Sequence, residues 1–426
     1  MSKVSETSSK KSSKAPRSGS FRKVFWARFF GILLACGFAF MGFHFTVKKT
    51  FVNPYPVVCD LVYEKIYLDN KAMEKWRKTC MRRTRLVSPY SKKELIVKDL
   101  NNVLALLKVS HLEIFRPSEV RQIWKGQNLE TGIESEFVDS ELVIFKVHPK
   151  SPAEKAGLHR GDIITTINGE QPSPWTAVRE GGSYIIQNSQ GERRVPLKPA
   201  EVKRDEEIRL IPLMNKKAHL VVPSFRAEFF TDEKLNAIVK DLSFYQEIVV
   251  DLRGNSGGNF VAGLKLLSPF LCKPTVVGSL VKPRLKEKTK VVMKDDLNDM
   301  KQLELLDHHQ EVVLESFPSA SCFKGKVKVL VDGKTSSVAE MVAQAFKELK
   351  GAPLLGSPSR GELLVGVWYP LDELSKGTQI SIPEAVYIST QGRHIENEGV
   401  KLDRVLYYNL VEMQAGIDSW VKRALD

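Results

Sequence analysis

From residue 216 to the C-terminus, short β-branched runs take turns with stretches of helical periodicity. AHLVVPSF, EIVVDL and KVKVLVD are three of the runs; DEKLNAIVKDL and VAEMVAQAFKEL are two of the helical stretches. The runs are close to continuously apolar, so both faces of the sheet they form must be covered. Strands that alternate with helices meet this demand by packing the helices on the sheet. The spacing predicts an α/β domain over residues 216–426.

The segments ahead of it differ in kind. Over residues 126–215, ELVIFKV, DIITTI and EIRLIPL are separated by turns, as in a small β-rich module. Residues 50–125 read as mainly helical, because SKKELIVKDLNNVLALLKV carries apolar residues three and four apart. No internal repeat is present. A chain of 426 residues is long enough for two or three such domains.

The net charge of +14 suggests a nucleic-acid binder until it is located. Residues 1–49 hold ten Lys/Arg and one acid, Glu6, whereas the rest carries 54 bases against 49 acids. The charge is therefore a basic tail, and a nucleic-acid partner is not expected. Residues 1–23 are Ser/Lys-rich and predict a disordered tail. From Phe29 to Phe43 every residue is apolar or glycine, and residues 24–47 approach the roughly 20 residues that span a bilayer. Arg17, Arg22, Lys23 and Arg28 precede the run, which would keep the N-terminus cytoplasmic. No small-x-small cleavage site follows, so an uncleaved transmembrane signal anchor is expected. It would place the body in the periplasm of a bacterial cell, at the inner membrane.

Cysteine usage fits that compartment. Cys36 lies in the apolar run; Cys59, Cys80, Cys272 and Cys322 remain. Pairing of 59 with 80 and of 272 with 322 fits an oxidising space, with four free thiols as the alternative. No Cys/His spacing points to a metal, and no cofactor is expected.

The middle module carries Ser151-Pro152-Ala153-Glu154-Lys155-Ala156-Gly157, then Arg160-Gly161-Asp162-Ile163-Ile164, then Ile167-Asn168-Gly169. These segments resemble the PDZ domains of bacterial proteases. The resemblance implies capture of a peptide C-terminus by strand addition, its carboxylate held on backbone amides. Thr131, Gly132 and Ile133, before ELVIFKV, are the expected carboxylate loop.

Two loops carry chemistry. EIVVDL runs into Asp251-Leu252-Arg253-Gly254-Asn255-Ser256-Gly257-Gly258, a Gly-rich turn able to offer bare N–H groups to a reacting carbonyl. No Gly-Lys-Ser/Thr follows, which excludes a phosphate-binding loop. KVKVLVD runs into Gly333-Lys334-Thr335-Ser336-Ser337-Val338-Ala339-Glu340, a serine between strand and helix. Taken alone, TSSVAE is also an ordinary helix cap with Glu at the capping-box position.

DLRGNSGG followed by VLVDGKTSSVAE, behind a PDZ-like module, resembles the carboxyl-terminal processing (tail-specific) proteases, whose relatives include the tricorn protease. The resemblance implies a ClpP/crotonase-like α/β protease core with an inserted PDZ domain. It implies Ser337 as nucleophile and the N–H groups of Val338 and of Gly257 or Gly258 as the oxyanion hole. Ser-Lys members place a lysine in G-x-P-x-x-G-K with a glutamine one helical turn later. Here the stretch is Gly356-Ser357-Pro358-Ser359-Arg360-Gly361-Glu362, and Gly366 replaces the glutamine. A Ser-Lys mechanism would need Lys334 or another lysine to reach in. The tricorn-like branch instead implies a Ser-His pair before the PDZ domain and a Glu near the C-terminus. Ser110-His111 and Glu396 in His394-Ile395-Glu396-Asn397-Glu398-Gly399-Val400 match it, with Glu398 and His394 as alternatives to Glu396 and His111. His111 then takes the Ser337 proton, with an imidazole pKa raised by a carboxylate relayed through Ser110.

The expected activity is that of a membrane-anchored serine endopeptidase cleaving exported proteins selected by their C-termini. A catalytically silent, PDZ-containing adaptor is the alternative.

Overall fold

The three apolar runs of the C-terminal half lie side by side and parallel as Lys217–Val221, Glu247–Asp251 and Lys326–Val331. The computed structural model describes residues 19–125, 127–285 and 287–426. Leu354–Gly356 and Arg404–Val405 continue the parallel sheet on one side, and Arg209–Leu213 closes the other side antiparallel. Alternate residues of a strand face opposite ways. Ile248 and Val250 pack into one core with Leu264, Val342 and Phe346, whereas Val249 and Leu330 pack into another with Trp420 and Ala424. The near-continuous apolar pattern thus has a cause in helices on both faces.

EIRLIPL, expected in the β-rich module, is the strand Arg209–Leu213 and belongs to this sheet. The core therefore begins before residue 216.

A second sheet is mixed. Gln379–Ser389 pairs on one edge with Glu113–Phe115 and Val276–Val281, and on the other with Leu364–Pro370; Glu311–Glu315 and Lys290–Val292 continue beyond Val276–Val281. Glu113–Phe115 comes from the stretch expected to be mainly helical. That stretch otherwise forms the helices Pro54–Lys65, Asn70–Arg82, Lys93–Leu104 and Pro117–Lys125. The first two make a hairpin closed by the Cys59–Cys80 disulfide. A second disulfide joins Cys272 to Cys322.

Between the two halves of the core sits a five-stranded antiparallel sheet in chain order: Ile133–Val138, Glu141–Val147, Ile163–Ile167, Gly182–Asn188 and Gly191–Leu197. Its own core includes Ile133, Ile144, Ile164 and Tyr184. SPAEK forms the short helix Pro152–Lys155, capped by Ser151. The chain enters and leaves through a ribbon of Gln127–Glu130 with Ala200–Lys203.

All of this belongs to one compact unit, residues 54–84 and 92–426. The other unit contains the helix Gly19–Thr50 and Arg85–Ser91. Every residue from Arg28 to Phe43 is exposed in it. Among the described residues no helix is long and apolar enough to cross a membrane. The expected span over 24–47 is thus not shown; its unbroken apolar run, 29–43, is shorter than the roughly 20 residues a bilayer requires. Residues 1–18 of the expected disordered tail lie outside the described residues, whereas residues 19–23 belong to the helix Gly19–Thr50.

Candidate active site

The two Gly-rich loops meet because their strands, Glu247–Asp251 and Lys326–Val331, are parallel neighbours. Both loops leave the same carboxyl edge of the sheet, where α/β folds place their sites. They interlock through Asp332, which accepts from the Gly254 N–H, through Thr335 Oγ1, which donates to Leu252 O, and through Ser336 N–H, which donates to Asn255 O. Arg253 anchors the first loop on Asp251 and Asp418.

Ser337 caps the helix Val338–Lys350 with φ 57° and ψ −127°. A non-glycine residue there is strained by about 1–3 kcal/mol and held by its surroundings. Gly257 packs against it; a Cβ on Gly257 would stand 2.7 Å from Ser337 Cβ and 3.0 Å from Val338 N. The Gly257 N–H, however, donates to Asn255 Oδ1 at 2.8 Å. Gly257 therefore cannot offer its N–H to an oxyanion. Among the described residues the Gly258 and Val338 N–H groups have no such partner, and the helix N-terminus adds its partial positive charge beside them.

Ser110 and His111 arrive from the opposite direction. The helix Lys93–Leu104 stops in a 3-10 turn, and Lys108 takes a left-handed conformation. Asn101 then clamps Ile114 through both its N–H and its C=O, which fixes the loop between them. His111 has φ 59°. Ser110 Oγ lies 2.8 Å from His111 Nδ1 and donates to Glu396 Oε2 at 2.8 Å; Ser110 N–H donates to Glu396 Oε1 at 2.8 Å. An ionised carboxylate only accepts, so the hydroxyl gives its proton to Glu396 and takes one from Nδ1–H. Nε2 is then bare. Burial and the nearby Arg360 charge push the His111 pKa down to about 4, the reverse of the upward shift expected from the sequence. Burial pushes Glu396 up, partly offset by the bonds from Ser110 and Leu363. The carboxylate reaches the imidazole only through Ser110, so desolvation wins.

His111, Ser337, Gly257 and Gly258 line one cleft of 280 Å³ with Phe225, Phe260, Leu303, Leu306, Leu364 and Trp368. No hydrogen bond joins His111 to Ser337 among the described residues. Such contacts are often long before substrate binds. Lys334 does not turn toward Ser337; its Nζ pairs with Glu136 Oε1 at 3.0 Å. Glu362 pairs with Arg360. Glu398 is exposed, with Arg393 3.9 Å away. Gly366 faces His111: a Cβ there would stand 2.3 Å from Ser381 Oγ and 3.2 Å from His111 Cβ. Among the described residues no cluster of three His, Cys, Asp or Glu is placed to hold a metal ion.

In the β-rich module Thr131 N–H donates to Val178 O and Thr131 Oγ1 to Ala177 O, so this residue is tied to the helix Pro174–Arg179. Gly132 has φ 84°, and a Cβ there would meet Ser151 Cβ at 2.1 Å. Ile133 is buried and opens the edge strand. Of the three, Thr131 cannot offer its N–H to a peptide carboxylate.

Glu340 escaped the sequence reading, which saw only a capping-box glutamate. Asn255 escaped too; its side chain holds Val222 O as well as the Gly257 N–H.

Peptidase family S41 matches residues 216–406, and the PDZ domain matches residues 143–195. A carboxy-terminal-processing protease of Bartonella bacilliformis is 24% identical over 361 residues, which cover 79% of this chain and 75% of that protein. A probable CtpA-like serine protease of Staphylococcus epidermidis is 23% identical over 74% of this chain, which spans 61% of that relative. Among solved structures, a photosystem II D1 C-terminal processing protease superposes with a TM-score of 0.51 at 17% identity, covering 83% of this chain and 92% of that one. Residues 216–406 thus carry a peptidase family S41 domain, that of serine-type peptidases, and residues 143–195 a PDZ domain.

Proposed function

We propose that the chain is a Ser-His-Glu endopeptidase that cleaves proteins selected through their C-termini. The observation that carries the reading is the relay Glu396–Ser110–His111, which leaves a bare imidazole nitrogen in the cleft that Ser337 lines. His111 accepts the Ser337 proton as the hydroxyl attacks, then returns it to the leaving amine. The N–H groups of Gly258 and Val338 receive the oxyanion. Three placements speak against a Ser-Lys mechanism. Position 362 is a carboxylate, Lys334 is spent on Glu136, and Ser381 and His111 close the space beside Gly366, where the family has a glutamine.

The PDZ edge strand Ile133–Val138 has a neighbour on one side only, which suits addition of a substrate strand. The helix Gly19–Thr50, apolar and exposed all round between Arg28 and His44, is proposed as a membrane anchor with those two side chains snorkelling at its ends. The body would then act on exported proteins in the periplasm.

The test uses the full chain in detergent with an unfolded protein substrate, beside its Ser337→Ala form. Cleavage by the parent and none by the variant supports the reading. Equal cleavage by both, or none by either, overturns it and favours a silent adaptor. Amidating the substrate C-terminus should raise KM if the PDZ domain reads the carboxylate.

A further inference from the structure

The segment 359–363 occupies the gap between the two halves of the site, and every backbone N–H from Arg360 to Leu363 is engaged. Arg360 N–H donates to Thr335 O. Leu363 N–H donates to Glu396 Oε2 at 3.0 Å, on the histidine side. The other ties converge on one carboxylate. Glu340, fully buried, accepts from Ser359 Oγ at 2.6 Å, from Gly361 N–H at 2.7 Å and from Glu362 N–H at 3.0 Å. It also accepts at 3.1 Å from the N–H of Ser337, which is shared with Glu362 O.

We infer that Glu340 is a positioning residue that sets the spacing of nucleophile and base, by fastening Ser337 to the same segment that Glu396 fastens to Ser110 and His111. The inference rests on the Ser337–His111 reading. A buried carboxylate without partners is costly, so one that satisfies four donors fixes all of them at once. The strained backbone of Ser337 needs such a restraint. Because Arg360 rides on the segment, slack in it also changes the charge and burial felt by His111.

The experiment follows the imidazole of His111 by NMR titration, assigned through His111→Gln, together with kcat and KM, in the full chain, in Glu340→Gln and in Ser359→Ala. Glu340→Gln keeps the size but sets an amide N–H against a donor. We expect kcat to fall on the order of 10–100-fold, as for displacement of a reacting group by about 1 Å, with KM little changed. The His111 midpoint should rise from about 4 toward the unperturbed value of about 6.5. Ser359→Ala, which removes one of the four donors, should move both quantities the same way by less. Lower thermal stability with an unmoved midpoint overturns the inference, since a merely structural glutamate would do that. If Glu340→Gln does not fold, an unmoved midpoint in Ser359→Ala overturns it alone. The titration needs no turnover, so a parent that fails to cleave sinks the protease reading and leaves this measurement decisive for Glu340.

Discussion

Ser337 and His111 both hold positive φ, 57° and 59°, a conformation that costs a side-chain-bearing residue energy wherever it is found. The cost is borne where two loops must present one hydroxyl and one imidazole to the same space. His111, held down to about 4, stays neutral through the physiological range, and in the proposed mechanism it would lose the role of base only on protonation. We therefore expect kcat/KM to be flat near neutrality and to fall below about pH 5, with a midpoint near 4; a midpoint above 6 would show that burial is not in control. The same depressed pKa has a consequence for stability. The unfolded chain binds this proton near 6.5 and the folded one near 4, so the contribution is intact above 6.5 and lost as pH falls toward 4. Urea midpoints at pH 7 and pH 4.5, compared between parent and His111→Gln, measure it. His111→Ala should cost about 10²–10⁴ in rate. At position 366 a glutamine cannot share the space with Ser381 and His111. Gly366→Gln should cost about 1–3 kcal/mol of stability by overpacking and displace the histidine, seen as a loss of kcat in protein that still melts cooperatively.

At the scale of elements, the site is two parallel strands ending together and one loop brought to them. The strands were legible because EIVVDL and KVKVLVD are apolar on both faces, and their Gly-rich and Ser-rich exits mark where they stop. Asn255 was not, since an asparagine in a turn has many uses. Its side chain ties Gly257 N–H to Val222 O while its own carbonyl takes Ser336 N–H. Asn255→Ala should destabilise by about 1–3 kcal/mol, the cost of stranding buried partners, and free the Gly257 loop. Chemical denaturation reads the first effect and the rate of Ser337 modification by a phosphonate the second. EIRLIPL went to the wrong domain because a strand's sequence carries its periodicity but not its partner; Arg209–Leu213 pairs with Lys217–Val221 across a tight turn.

Over the whole molecule, the chain closes two long loops covalently. Cys59 and Cys80 are 21 apart in sequence and Cys272 and Cys322 are 50 apart. Loop-closure entropy assigns them about 3 and about 4 kcal/mol. Replacing Cys59 and Cys80 together by Ser should lower the urea midpoint accordingly, and neither thiol should label in the native, unreduced protein. The sequence by itself determined the α/β core, the PDZ-like turns, the serine loop and the Ser-His dipeptide, because periodicity and glycine placement are local properties written in consecutive residues. What only the tertiary structure decided is which groups those residues meet. It brought Ser110 to Glu396 across 286 residues, spent the Gly257 N–H and the Lys334 amine elsewhere, and placed Gly366 against His111. It also turned the expected rise of the histidine pKa into a fall, because desolvation depends on what surrounds the ring and not on the sequence beside it.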